Sequence, residues 1–331
     1  MVEAVVGVDI AKKKCDVALF MNGKFKHKTC LNNRQGFEEL SQWLKRQGVE
    51  RVRVCMEATG TYGDELATYM HDAGHTVSIV NPARIKGFAQ GELLRTKNDK
   101  VDAALIARFC VAMNPVVWTP PPLEIRRLQS LVKRADALIV MRTQEQNRFG
   151  TAHETIESSI KEHIGYLDQE IEKLKRQIAE HINSDQNLRT KRDLLSSIPG
   201  IGEATVAFIL SALHIFEGVD RVQKTVAFIG LAPREVISGS SIKGKPRICK
   251  IGHARFRKAL FMPALAAMRY NPVMIDFCNR LRKKGKNGKV IVCAVMRKLV
   301  HLIYGVLKSG KPFNPNYKPN FARLKTVSTS P

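Results

Sequence analysis

Three consecutive prolines, Pro120-Pro121-Pro122, preceded by Trp118-Thr119, separate two stretches whose patterning does not fit one continuous architecture. Proline fixes φ and lacks an amide donor, so such a run neither extends a helix nor sits in a central strand; it reads as a stiff linker. Before it, strand and helix signals alternate. After it, residues 124–182 contain no proline and read as helix throughout. A chain of 331 residues has material for two or three domains with their own cores. The boundaries read from these textures are 1–117, 118–193 and 194–331.

In the first stretch, Val5 to Asp9 reads as a buried strand, Cys15 to Phe20 as a second and His27 to Leu31 as a third, an antiparallel meander. Phe37, Leu40, Trp43 and Leu44 then recur at helical spacing within Gln35 to Arg46. Arg51 to Met56 alternates like a strand and delivers Glu57 at its end. Asp64 to Ala73 reads as helix and Thr76 to Val80 as strand, broken by Asn81-Pro82. Asn98 to Cys110 reads as a helix that Asn98 caps. This order predicts a layered α/β domain with a mixed sheet.

Beyond the prolines, Ile160, Ile164, Leu167, Ile171, Leu174 and Ile178 form a heptad seam flanked by Glu and Lys. The pattern predicts a helical coiled-coil middle, as a hairpin or a dimer contact; the alternative is a long helix on its own domain core. From residue 194 the chain reads as a mainly α domain with a basic loop. Ile198-Pro199-Gly200-Ile201-Gly202 is either a helix-hairpin-helix turn or a turn between core helices. Helices follow at Glu203 to Leu213 and Val222 to Phe228, then a Gly- and Ser-rich basic loop from Gly230 to Gly252. Two more helices, 253–270 and 288–307, precede an extended tail.

Charge narrows the partners. The formal net charge is +24, and residues 196–331 hold 24 Lys+Arg against 5 Asp+Glu, a net of +19. That excess excludes an ordinary enzyme of neutral metabolites and points to nucleic acid first, an anionic membrane surface second. The 44% hydrophobic content excludes a disordered basic tail. Seven scattered cysteines without a C-x-x-C pair predict neither a disulfide framework nor a zinc site, and fit a reducing cytoplasm. Glu3 and Asp9 interrupt the first apolar stretch, so no signal peptide is expected. Ala204 to Phe216, a largely apolar uncharged stretch, falls short of the roughly 18 apolar residues of a membrane span, so no membrane partner is expected.

Four carboxylates stand at the ends of predicted elements. Asp9 and Glu57 end strands, and Asp99 and Asp102, three apart, share one helix face. Singly, each reads as a cap or a solvated side chain. Together they form a hard-oxygen set suited to Mg²⁺ or Mn²⁺, ions that clamp the attacking and leaving oxygens of a phosphodiester.

The segments Gly7-Val8-Asp9-Ile10-Ala11-Lys12, Glu57-Ala58-Thr59-Gly60-Thr61-Tyr62, Asn81-Pro82 and Lys97-Asn98-Asp99-Lys100-Val101-Asp102-Ala103 resemble the N-terminal domain of the DEDD insertion-sequence transposases, the family numbered one hundred and ten. The resemblance continues through Ile198 to Gly202, Phe228-Ile229-Gly230-Leu231-Ala232-Pro233, Ser238-Gly239-Ser240-Ser241 and Lys308-Ser309-Gly310, and so spans nearly the whole chain. It implies a RuvC-like, RNase H-type N-terminal domain with Asp9, Glu57, Asp99 and Asp102 as the metal-binding tetrad. It also implies recombination of donor and target DNA, guided by a structured non-coding bridge RNA, through a serine nucleophile that maps to Ser238. Lys243, Lys245, Arg247 and Lys250 would then hold the scissile phosphate, with Gly239 and Gly244 allowing close backbone approach. Arg280, Arg282, Lys283, Lys284, Lys286 and Lys289 would form a phosphate-binding patch. A homodimer or homotetramer in the bacterial cytoplasm, on the nucleoid when it acts, completes the expectation. The alternatives are a RuvC-like junction nuclease that uses water attack, which needs the carboxylates but no serine, and a non-catalytic RNA-binding protein.

Overall fold

In the computed structural model, residues 4–58, 60, 62–93, 98–234, 237–238, 242–243 and 247–316 are described, with the backbone alone at 237–238, 242–243 and 247. The chain divides at the proline run into two units, Met1–Pro120 and Pro121–Pro331. The helices of 123–184 fall in the same unit as the C-terminal residues.

The first unit is built on a five-stranded mixed sheet. Its strands are β1 (Val5–Ile10), β2 (Lys14–Met21), β3 (Lys24–Leu31), β4 (Arg53–Glu57) and β5 (Thr76–Val80), in the order β3-β2-β1-β4-β5. β1 to β3 form the expected antiparallel meander. The β2–β3 turn is tight because Asn22 and Gly23 both take positive φ, +52° and +74°. β4 runs parallel to β1, and β5 parallel to β4.

Both sheet faces are covered. Val6, Val8 and Ile10 pack with Phe37, Leu40 and Leu44 of α1 (Arg34–Arg46) and with Leu66 and Met70 of α2 (Asp64–Asp72). Val5 and Cys55 pack on the other face with Leu105, Ile106 and Phe109 of α4 (Asp99–Met113) and with Ile85 of α3 (Pro82–Gly91). Gly7 makes this second face possible. A Cβ there would collide with the Ala103 carbonyl and the Ala107 amide, so α4 lies backbone to backbone on β1.

Helix α3 is additional to the sequence reading, which took Asn81-Pro82 only as a break. The pair instead starts a helix: the Asn81 side chain accepts the Ala83 amide at 2.9 Å, and Pro82 sits where no amide partner is needed. The Trp118 amide donates to the Val77 carbonyl at 2.7 Å, so this residue belongs with the first unit.

The second unit begins with two long helices, α5 (Leu123–Phe149) and α6 (Glu154–Ser184). The helix expected to run through 124–182 is interrupted at 150–153, and the chain doubles back. Leu167 and Ile171 of the seam are buried against Leu138 of α5, and Arg142 pairs with Asp168 at 2.9 Å. The remaining helices are α7 (Gln186–Ser196), α8 (Glu203–Leu210), α9 (Val222–Ile229), α10 (Ala254–Tyr270), α11 (Pro272–Lys283) and α12 (Gly288–Ser309). Helix α12 is long and apolar enough to cross a membrane, yet Ile291, Val295, Leu299 and Ile303 form the centre of this unit's core with Phe256, Leu260 and Leu195. The Ile198–Gly202 turn is packed between core helices. Gly200 has φ +100°, and a Cβ on it would lie 2.7–2.9 Å from Ala267. The tail beyond residue 316 lies outside the described residues.

Substituting Gly7 by Ala is expected to destabilise the protein by about 1–3 kcal/mol, the usual cost of forcing atoms into a packed contact. Urea unfolding followed by circular dichroism measures it; an unchanged midpoint would contradict the close approach of α4 to β1.

Candidate active site

The parallel register pairs Val8 with Met56, and its next step sets Asp9 beside Glu57 at the C-terminal ends of β1 and β4. The antiparallel register pairs Asp9 with Asp16 of β2. Side chains two apart in a strand share a face, so Asp9 follows Gly7 onto the α4 side, and Glu57 follows Cys55. On α4, the turn before Ala103 carries Asp102 and Asp99. Asn98 caps that turn by accepting the Val101 amide at 2.9 Å. One step along the strand and one turn back along the helix thus bring three carboxylates to the same end of the sheet.

Asp9 registers this crowding. Burial, then the negative charges of Asp102, Asp99 and Asp16, push its pKa above the ordinary value. The Ile10 amide hydrogen bond opposes them only in part. Asp99 is exposed, and its carboxyl is held below the ordinary range by a hydrogen bond from Lys14. The Lys14 ammonium donates to Asp99 Oδ2 at 2.5 Å and lies 2.9 Å from Asp16 Oδ2. Asp16, buried, also accepts from Thr29 Oγ1 at 2.6 Å.

Sequence reasoning missed Asp16 and Lys14. The available signal was an aspartate inside the apolar run Cys15 to Leu19, where burial demands partners. Among the described residues, no three His, Cys, Asp or Glu side chains converge closely enough to enclose one ion. The donor set nevertheless fits a hard divalent cation: it is all carboxylate oxygen, and burial, then the neighbouring carboxylates, raise the pKa of its half-buried member.

The second unit carries the basic loop as an arm. At its neck, the Cys249 amide donates to Ala232, Lys250 to Gly230 and His253 to Phe228, at 2.8, 3.1 and 3.0 Å. Next come β6 (Pro233–Arg234) paired with β9 (Arg247–Ile248), and β7 (Ile237–Ser238) paired with β8 (Ile242–Lys243). Ser238 stands opposite Ile242, and Lys243 opposite Ile237. Gly239, Ser240, Ser241, Gly244 and Lys245, with the side chains of Ser238, Lys243 and Arg247, lie outside the described residues. So do Thr59, Thr61 and Lys97 of the N-terminal motifs. Beside the neck, the His253 ring stacks on Phe228 at 5.6 Å. Burial, then Arg255 and Arg257, lower the His253 pKa; burial, then His253, lower that of His214.

Comparison with known proteins decides the family. Residues 6–153 match the DEDD transposase family of IS110, and residues 192–279 match the family described as "Transposase IS116/IS110/IS902 family". The pilin gene-inverting protein of Moraxella bovis is 34% identical over 318 residues, which cover 95% of this chain and 98% of that protein. The chain belongs to the IS110 family of transposases. The transposase for insertion sequence element IS1328 of Yersinia enterocolitica is 23% identical, over 93% of this chain and 98% of its own length. A solved T. thermophilus RuvC in complex with a Holliday junction substrate aligns with 34% of this chain and 96% of its own, at 16% identity and a TM-score of 0.25.

The transposase's other basic surface runs from the last turn of α11 into the start of α12. Arg280, Arg282, Lys283, Lys284, Lys286 and Lys289 are all exposed there. Arg280 and Lys298 both approach the Phe277 ring, at 5.8 and 6.0 Å. Lys250, at the neck of the arm, is exposed with φ +58°. Helix α11 was absent from the sequence reading, which saw only its basic run; Asn271 caps it and Pro272 opens it, as in α3.

The crowding of Asp9 has a measurable consequence. Its raised pKa means that the fold binds this proton more tightly than the unfolded chain, so the wild type loses stability as pH rises from the ordinary value of 3.8 through the folded value. Asp9→Asn, in the presence of a chelator, is expected to melt above the wild type at pH 7. The difference shrinks as pH falls toward 3.8. A lower melting temperature for the variant at neutral pH would contradict it.

Proposed function

We propose that this IS110-family transposase is an RNA-guided DNA recombinase that cuts and rejoins donor and target strands through a covalent phosphoserine at Ser238. The reading is supported by the charges of Asp99 and Asp102 acting on Asp9 at the end of the sheet, with Glu57 one residue beyond Met56, the register partner of Val8. Asp9, Glu57, Asp99 and Asp102 would hold Mg²⁺ or Mn²⁺ in a RuvC-like domain. When bound, such an ion supplies charge neutralisation at the attacking and leaving oxygens of a phosphodiester.

Ser238 supplies the nucleophilic oxygen. Its bond to phosphorus forms as the bond to a sugar oxygen breaks, and the serine proton must be taken up while that sugar oxygen gains one. Lys243, Lys245, Arg247 and Lys250 neutralise the phosphate that reacts. The phosphoserine conserves the bond energy, so rejoining needs no nucleotide cofactor. The Moraxella relative's name, a pilin gene-inverting protein, agrees with cutting followed by rejoining.

Several such sites must act in one synapse, which calls for a dimer or tetramer; the α5–α6 hairpin, with Ile139, Val140, Met141, Ile156 and Tyr166 exposed, is our candidate contact. Arg282, Lys283, Lys284 and Lys286 would bind nucleic-acid phosphates, and the +19 of the C-terminal residues leaves room for the bridge RNA as well as DNA. Its place of action is the bacterial cytoplasm.

The test is the purified protein with its co-purifying RNA, Mg²⁺ and supercoiled target. DNA is expected to remain attached to the protein after denaturation, and Ser238→Ala is expected to abolish both adduct and cleavage. Undiminished cutting by Ser238→Ala would instead identify a nuclease that uses water.

A further inference from the structure

The interactions around Lys14 carry an inference about the same site, and it rests on the tetrad reading. Thr29, on edge strand β3, donates to the buried Asp16; Asp16 faces the Lys14 ammonium at 2.9 Å; and that ammonium reaches Asp99 Oδ2 at 2.5 Å. Asp16 stands opposite Asp9 in the β1–β2 register. A cation arriving at the tetrad therefore meets one already there, attached to the chain. We propose that Lys14 is a tethered counter-ion that competes with the divalent metal for Asp99 and so sets the metal affinity of the site.

The physical case is one of charge and tethering. Asp99 is exposed and pairs with Lys14, whose side chain is also solvent-accessible, so the contact breaks at small cost. Asp16 is fixed by Thr29 and by burial, so it retains the ammonium when Asp99 turns to the metal. The lysine is then displaced by a short distance rather than released. It remains at the rim as a positive charge facing the incoming ion. Metal binding is weakened by the lost ion pair and by that like charge, and the site fills only where metal is plentiful or where substrate phosphates add ligands.

Mn²⁺ alone, titrated into the full-length protein with the free ion followed by electron paramagnetic resonance, tests this without any catalytic readout. Lys14→Met, which keeps the aliphatic stem, is expected to bind Mn²⁺ about threefold to fivefold more tightly than the wild type, the scale of one exposed ion pair. Lys14→Gln is expected to do the same, and Lys14→Arg, which keeps the charge, to stay within about twofold of the wild type. Unchanged or weaker binding by both neutral variants overturns the proposal, as does tighter binding by Lys14→Arg. Asp102→Asn separates the two levels: if it leaves Mn²⁺ binding untouched, the tetrad reading itself fails and takes this inference with it.

Discussion

The backbone contact between α4 and β1 at Gly7 is the constraint on which the first unit's chemistry depends. A helix normally rides on side chains, about 10 Å from the sheet beneath it. Here the Ala103 carbonyl and Ala107 amide occupy the space a side chain at position 7 would need. The first turn of α4 is thereby pressed onto the end of the sheet, and Asp99 and Asp102 arrive where Asp9 ends its strand. Such an arrangement is electrostatically unfavourable: burial first, and then Asp102, Asp99 and Asp16, raise the pKa of Asp9. Burial of Val5, Cys55, Leu105, Ile106 and Phe109 in the adjoining core holds it. Each fully buried side chain of this kind contributes about 1.5–3 kcal/mol, against which the repulsion among partly solvated carboxylates is small.

The two units divide the charge as sharply as the fold. The first gathers acids at the end of one sheet, and residues 196–331 of the second carry a net +19, part of it on the turn between α11 and α12. The arm is fixed at its neck by three backbone hydrogen bonds between the segments that flank it. Gly252 fits there because a Cβ would strike the Phe228 carbonyl.

Much of this was legible from residue patterns. The strands β1, β2 and β5 follow from short apolar runs and β4 from alternation, because a sheet covered on both faces buries its central strands on both sides; the helices α1, α2 and α4 follow from helical signals in the sequence. The Asn98 cap was readable for the same local reason. Three helices escaped, α3, α7 and α11: α7 lies in 186–196, which the reading left unassigned, and α3 and α11 both begin with Asn-Pro. That pair is as good a helix start as a chain break: the Asn side chain caps, and proline tolerates the first helical position. The position of the break at 150–153 escaped because the residues on either side keep good helical periodicity; the packing of Leu167 and Ile171 on Leu138 shows that the helix folds back, which the sequence had offered as one alternative, a hairpin.

By itself, the sequence determined which residues face a core, where charge of each sign accumulates, and which family the chain resembles. These are properties of local spacing and composition, and they survive any arrangement of the elements. Only the tertiary structure decided that Asp9 stands beside Glu57 and opposite Asp16, that α4 crosses β1 at a glycine, and that Lys14 bridges Asp16 and Asp99. Strand register and helix approach are set by contacts between residues far apart in the chain, and no local periodicity encodes them.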